Sequence, residues 1–203
     1  SVAENQTAAY TVTATDPSGG TLTYAISGGA DAAKFTINAS TGALSFIAAP
    51  NFESPADAGT NNVYDVVVSA SDGTLSTTQA VAIAVTNVAD NPVVLVDTNA
   101  AANTVAENAA NGTVVGITAL GTDADLGTSV TYSLSDDAGG RFAINSTTGV
   151  ITVANGTLLD AESATSHNVT VLATSTDGST ASATYAIAVT NVADNPVVLV
   201  DTN

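Results

Sequence analysis

Acidic side chains recur at a few fixed positions in this chain. They are Glu4 in Val-Ala-Glu-Asn, Asp16 in Thr-Asp-Pro, Glu53 in Asn-Phe-Glu, Asp72 in Ser-Asp-Gly and Asp90 in Asn-Val-Ala-Asp-Asn-Pro. About a hundred residues on come Glu107, Asp123 with Asp125, Asp160 with Glu162, Asp177 and Asp194. Oxygen-rich groups of this kind suit calcium, a hard cation that takes ~6–8 oxygen ligands at ~2.3–2.6 Å. Zinc or copper would favour His or Cys, and the chain has one His and no Cys. Carboxylate pairs such as Asp123 with Asp125 could serve a glycosidase, but sugar sites usually add aromatic walls and there is no Trp. No His recurs beside a Ser or Thr, so the expectation is a protein that is not an enzyme.

Asp31, Asp57, Asp65, Asp97 and Asp201 fall outside these motifs and read as solvated turn residues. His167, in the position of Asn62 just before a strand, reads as an incidental exposed side chain. Tyr10, Tyr24, Tyr64, Tyr132 and Tyr185 could stack on sugars, but their place in strand patterns predicts core positions.

Charge narrows the partners. Two basic residues, Lys34 and Arg141, stand against 19 acidic ones, a formal net charge of −17. That balance excludes a phosphate-binding surface, hence nucleic acid. No apolar run approaches the ~18 residues of a membrane span, so no membrane insertion is expected. Without cysteine no disulfide stabilises the fold, and bound metal is the natural substitute in a secreted chain.

The elements that must position these groups are repeated. Residues 82–99 return letter for letter at 186–203, an offset of 104 residues. This period is too long for a solenoid unit and fits an autonomous domain. The expected division is 1–91, 92–195 and the opening of a further repeat at 196–203. Val81, Ile83 and Val85 alternate with Ala82 and Ala84, and Tyr185, Ile187 and Val189 repeat the pattern, the period of half-buried strands. Tyr64, Val66, Val68 and Ala70 form the partner strand, matched on the Asp-Gly turns to Val169, Val171, Ala173 and Ser175. With Thr21 to Ser27, Ser129 to Ser135, Ala9 to Ala14, Thr113 to Ala119 and the segments Phe35 to Leu44 and Phe142 to Ile151, each repeat has about seven short strands and no long amphipathic helix. The fold class expected is all-β, two tandem immunoglobulin-like Greek-key sandwiches.

Ala-Glu-Asn, Asp-x-Asp, Leu-Asp-x-Glu, Asp-Gly and Asn-x-x-Asp-Asn-Pro, in that order and seen twice, resemble the calcium motifs of the cadherin domain. In style they are similar to bacterial cadherin-like modules, whose Ala/Thr-rich, low-lysine composition is common in large secreted adhesins. The resemblance implies Ca2+ in the joint between repeats. Its ligands would be Glu4 and Glu53 from the first domain, Asn87 and Asp90 with the carbonyls of Val88 and Asn91 from the linker, and Asp123, Asp125 and Asp177 from the second. Outer half-sites would be Asp16 and Asp72 at the start, and Glu107, Asp160, Glu162, Asn191 and Asp194 at the end. Asn51, Ala14, Asn87 and Ala89 depart from the family pattern, which predicts about two ions at the joint with affinities of ~10⁻⁴–10⁻³ M.

The resemblance further implies a secreted, extracellular or cell-surface setting. It leaves three roles open: a calcium-stiffened spacer with no ligand of its own, a module binding acidic polysaccharide of capsule or biofilm matrix, or self-association of repeats. The family's tryptophan strand exchange is not available to a chain without Trp.

Overall fold

Strand after strand alternates a β-branched or aromatic residue with Thr, Ser or Ala, which suits sheets packed on one face and wet on the other. In the computed structural model, which describes residues 1–193, that pattern yields two compact units, Ser1–Asp90 and a second beginning at Asn91. The described residues contain no α-helix, only single 3-10 turns at Ala32–Lys34 and Gly156–Leu158.

The first unit has strands β1 (Val2–Ala3), β2 (Ala8–Thr11), β3 (Thr23–Gly28), β4 (Phe35–Ile37), β5 (Ala43–Phe46), β6 (Val63–Ser71) and β7 (Ser76–Thr86). They form one sheet in the order β1-β7-β6-β3 and another in the order β2-β5-β4. The second unit has β8 (Val94–Asp97), β9 (Thr104–Ala106), β10 (Val114–Thr122), β11 (Val130–Asp136), β12 (Phe142–Ile144), β13 (Val150–Val153), β14 (Ser166–Ser175) and β15 (Thr180–Thr190). Its sheets run β9-β15-β14-β11 and β8-β10-β13-β12. Each unit is the all-β sandwich expected from the sequence.

Inward residues of both sheets make each core. In the first unit Phe35 and Phe46 stack at 4.5 Å and Tyr64 meets Phe46 edge-on at 5.0 Å, with Leu44, Val66, Val68 and Ile83 around them. The second unit replaces this aromatic centre with an aliphatic one: Val115, Ile117, Ile151, Leu159, Val169, Val171 and Ile187 are wholly buried around Phe142. Full burial of one such side chain contributes ~1.5–3 kcal/mol.

Register corrects the match between repeats. Ile83 and Ile187 are equivalent in the repeated segment, and they pair with Tyr64 and His167. His167 therefore takes the place of Tyr64, not of Asn62, and Val66, Val68 and Ala70 correspond to Val169, Val171 and Ala173. The two Asp-Gly turns differ in length by one residue, which is why aligning on them misplaces the strand. His167 is also not exposed: its side chain is half-buried and its Nε2 is enclosed without a hydrogen-bond partner. Burial, and then the charge of Arg141, hold its pKa below the ordinary value.

Three acids expected in solvent are structural. Asp31 is buried and accepts from Ala58 N at 2.7 Å and Asp65 N at 2.8 Å, pinning the loop before β6 to the strand itself. Asp57 is buried and accepts from Asn61 N and Asn62 N. Desolvation pushes its pKa up, but those N–H groups outweigh it and the net shift is downward. Asp97, half-buried, accepts from Thr118 N and Asn99 N and ties β8 to β10. Asp65 is exposed as expected, and Asp201 lies outside the described residues. Of the tyrosines, Tyr64 and Tyr132 are core and Tyr24 and Tyr185 half-buried, whereas Tyr10 is 46% exposed because its side of β2 faces water.

Candidate metal centres

The Val-Ala-Glu-Asn motif works the same way in both units. β1 runs parallel to β7, with Val2 opposite Val85 and Ala3 opposite Thr86, and Glu4 N continues the ladder to Thr86 O at 3.0 Å. Asn5 then takes φ = 61°, a left-handed conformation that Asn tolerates better than most residues, and turns the chain away. The turn leaves the Glu4 carboxylate inside, 1% exposed, where Oε2 accepts from Phe52 N at 2.7 Å and Oε1 from Val88 N at 2.8 Å. The loop and the chain following β7 are thus both fastened to one carboxylate. Glu4, Glu53 and Asp90 form a cluster whose ligand oxygens all lie within 4.8 Å of one another. Asn5 Nδ2 also donates to Asp90. Asn87 and Val88 are exposed, and Val88 meets the cluster through its N–H.

The second unit repeats the arrangement. β9 is parallel to β15, Glu107 N bonds Thr190 O, and Asn108 takes φ = 54°. The buried Glu107 accepts from Ala161 N at 2.9 Å and from Val192 N. Glu107, Asp160 and Glu162 gather within the same 4.8 Å. Asp160 is fixed by Ser163 through its N–H and hydroxyl, and Asn191 Nδ2 donates to Glu162. The N–H donors of Val192 and Ala161 hold the Glu107 pKa down. The N–H of Glu162 itself pulls its carboxyl down too, yet desolvation and the neighbouring Glu107 prevail and raise it. Asp194 lies outside the described residues.

A third cluster joins Asp123, Asp125 and Asp177, again within 4.8 Å. Asp125 is buried and accepts from Asn91 twice, from its N–H at 3.2 Å and from Nδ2 at 2.9 Å. Asp123 accepts from Asp125 N and from the Ser179 hydroxyl. Asp177 sits at the tip of the β14–β15 turn and accepts from Ser179 N at 2.8 Å, which holds its pKa low.

Asp16 accepts from Ser18 N and Gly20 N, and Asp72 from Thr74 N, the Thr74 hydroxyl and Leu75 N, so each carboxylate caps its own turn. They are not part of a three-carboxylate cluster among the described residues. Ala14 N and Gly121 N bond the equivalent hydroxyls of Tyr24 and Tyr132, so Ala14 corresponds to Gly121, not to Asp123 as expected, and Asp16 to Asp123. The carboxylate missing from the first unit is that of Asp125, whose place Ser18 takes.

The donor set fits calcium. Every ligating group is an oxygen, His167 belongs to none of the clusters, and each oxygen of Glu4 uses one lone pair on an N–H and keeps another. Sequence reasoning missed Asn5 and Ser179 as partners of these carboxylates. For Asn5 the signal was present, since an Asn follows the Glu in both repeats.

Residues 102–193 match the cadherin domain family. The chain is 28% identical over 203 residues to cadherin-related family member 1 of Gallus gallus, covering 95% of this chain and 23% of that protein. It is 36% identical over 170 residues to protocadherin Fat 4 of Homo sapiens, covering 80% of this chain and 3% of that protein. The chain thus spans less than a quarter of the length of the curated relatives it matches. Among solved structures, mouse cadherin-23 EC22-24 is similar at a TM-score of 0.70 and 26% identity, covering 95% of this chain and 63% of that one. Residues 102–193, most of the second unit, thus match the cadherin domain family, and both units share the cadherin-like sandwich.

Proposed function

We propose that this chain is a calcium-binding repeat pair of an extracellular adhesin, in which carboxylates at the ends of each unit hold calcium and so stiffen the run of chain between repeats. The observation that carries this reading is the set of three clusters, each with three carboxylates brought within 4.8 Å. Continuity of the chain supports it: Asp90 belongs to one cluster, and the next residue, Asn91, donates to Asp125 of another. Glu4, Glu53 and Asp90, with Asp123, Asp125 and Asp177, would serve the joint. Glu107, Asp160, Glu162 and Asn191 would serve the following one. Bound there, calcium supplies the positive charge that lets like-charged carboxylates stay close.

The Ala/Thr-rich, nearly lysine-free composition supports placing the pair in a bacterial surface or biofilm-matrix protein, acting by position and stiffness instead of catalysis. Attachment to polysaccharide is a second reading, favoured by Tyr10, an exposed aromatic that could stack on a sugar. Titrating calcium, then magnesium, into chelator-stripped protein by calorimetry tests the first reading. Calcium-specific sites are expected, and no heat with calcium overturns it. Calcium-dependent retention on purified exopolysaccharide, reduced by Tyr10→Ala, is the outcome expected of the second.

A further inference from the structure

Register sets the Asp123–Asp125–Asp177 cluster apart from a simple copy of the first unit. In the first unit the last pair before the turn is Ser71 with Ser76, and the next residue is Asp72. In the second the last pair is Thr174 with Thr180, and the next residue is Ser175. Ser175 therefore occupies the strand position of Asp72. The carboxylate has moved two residues on, to Asp177, in a turn one residue longer. Ser175 is 4% exposed, its hydroxyl oxygen is buried without a hydrogen-bond partner, and it lies beside the Asp177 carboxylate. A buried hydroxyl left unpaired is unfavourable, and a native protein keeps one where something else uses it.

We propose that Ser175 Oγ is a neutral oxygen donor of the calcium site formed by Asp123, Asp125 and Asp177. The proposal rests on the calcium reading above. Three carboxylates leave part of a shell of ~6–8 oxygens unfilled, and a hydroxyl at this strand position fills one place without adding a fourth negative charge. The site thereby trades affinity for lower repulsion when the ion is absent.

The test is an NMR titration of the whole chain with calcium, following the Gly178 and Ser179 amides for this cluster and the Ala161 and Val192 amides for the Glu107 cluster. Ser175→Ala should move the midpoint at Gly178 and Ser179 to about tenfold higher calcium, as loss of a supporting group at a metal site does. The midpoint at Ala161 and Val192 should stay, and metal-free stability should not fall. Ser175→Asp should move the first midpoint the other way. Asp177→Asn, the control, should abolish it. If Asp177→Asn abolishes the response while neither Ser175 variant shifts it, the role of Ser175 is refuted and the calcium reading stands. If the wild-type chain gives no response at Gly178 and Ser179, both fall.

Discussion

Glu4 is the most exacting place to test whether the carboxylates of the first unit share a cation. Glu4→Gln keeps the shape and one carbonyl oxygen, so one of the two N–H groups now satisfied, on Phe52 or Val88, faces an amide NH2. Losing one hydrogen bond to a charged acceptor costs ~1.5–3 kcal/mol. Removing the charge also relieves repulsion from Glu53 and Asp90, whose oxygens lie within 4.8 Å. Each such pair repels by ~1 kcal/mol at the dielectric of water and ~3 kcal/mol at an effective value of ~20. In chelator the two effects offset and the variant should melt close to the wild type. With calcium at ten to a hundred times a ~10⁻⁴ M dissociation constant, the wild type gains ~1.4–2.7 kcal/mol by mass action, and the variant should lose most of that gain. The assay is calorimetric unfolding with and without calcium, resolving the transitions of the two units. A Glu4→Gln chain destabilised by the same amount in both conditions would refute the reasoning, because Glu4 would then be a backbone clamp and nothing more.

Other predictions follow from the same contacts. Asp31→Ala strands the N–H groups of Ala58 and Asp65 and should destabilise the first unit by ~3–5 kcal/mol, in calcium and in chelator alike, as measured by denaturant unfolding. Because the native pKa of His167 lies below its ordinary value, the unfolded chain takes the proton first. Its contribution is therefore full above pH ~6.5 and is lost as pH falls toward the native pKa. His167→Tyr, which installs the first unit's residue, should flatten the stability of the second unit between pH 7 and 5.5 relative to wild type. The raised pKa of Glu162 predicts proton release on calcium binding that grows as pH falls toward that pKa, seen as a dependence of the binding heat on the buffer's ionisation enthalpy. Asp72→Asn should lower the thermal midpoint of the first unit, since Asp72 caps its turn by accepting from Thr74 and Leu75.

The all-β class and the residue types of the three clusters are legible in the amino-acid order because each is written locally, and the hundred-residue repeat because its segments return letter for letter. Alternation is a property of five or six residues, and Glu followed by Asn before an extended strand carries both a buried acid and the residue that can turn away from it. Tertiary structure decided what has no local signature. A one-residue difference between the β6–β7 and β14–β15 turns put His167 in Tyr64's place and Ser175 in that of Asp72, and no turn motif reports its own length. Whether an Asp faces water or backbone was decided the same way. Asp31 looks like a solvated turn residue until Ala58 and Asp65, distant in sequence, bring N–H groups to it, and Asp97 until Thr118 does the same. A carboxylate takes the donors that the folded chain sets around it, and those donors come from residues that only folding makes neighbours.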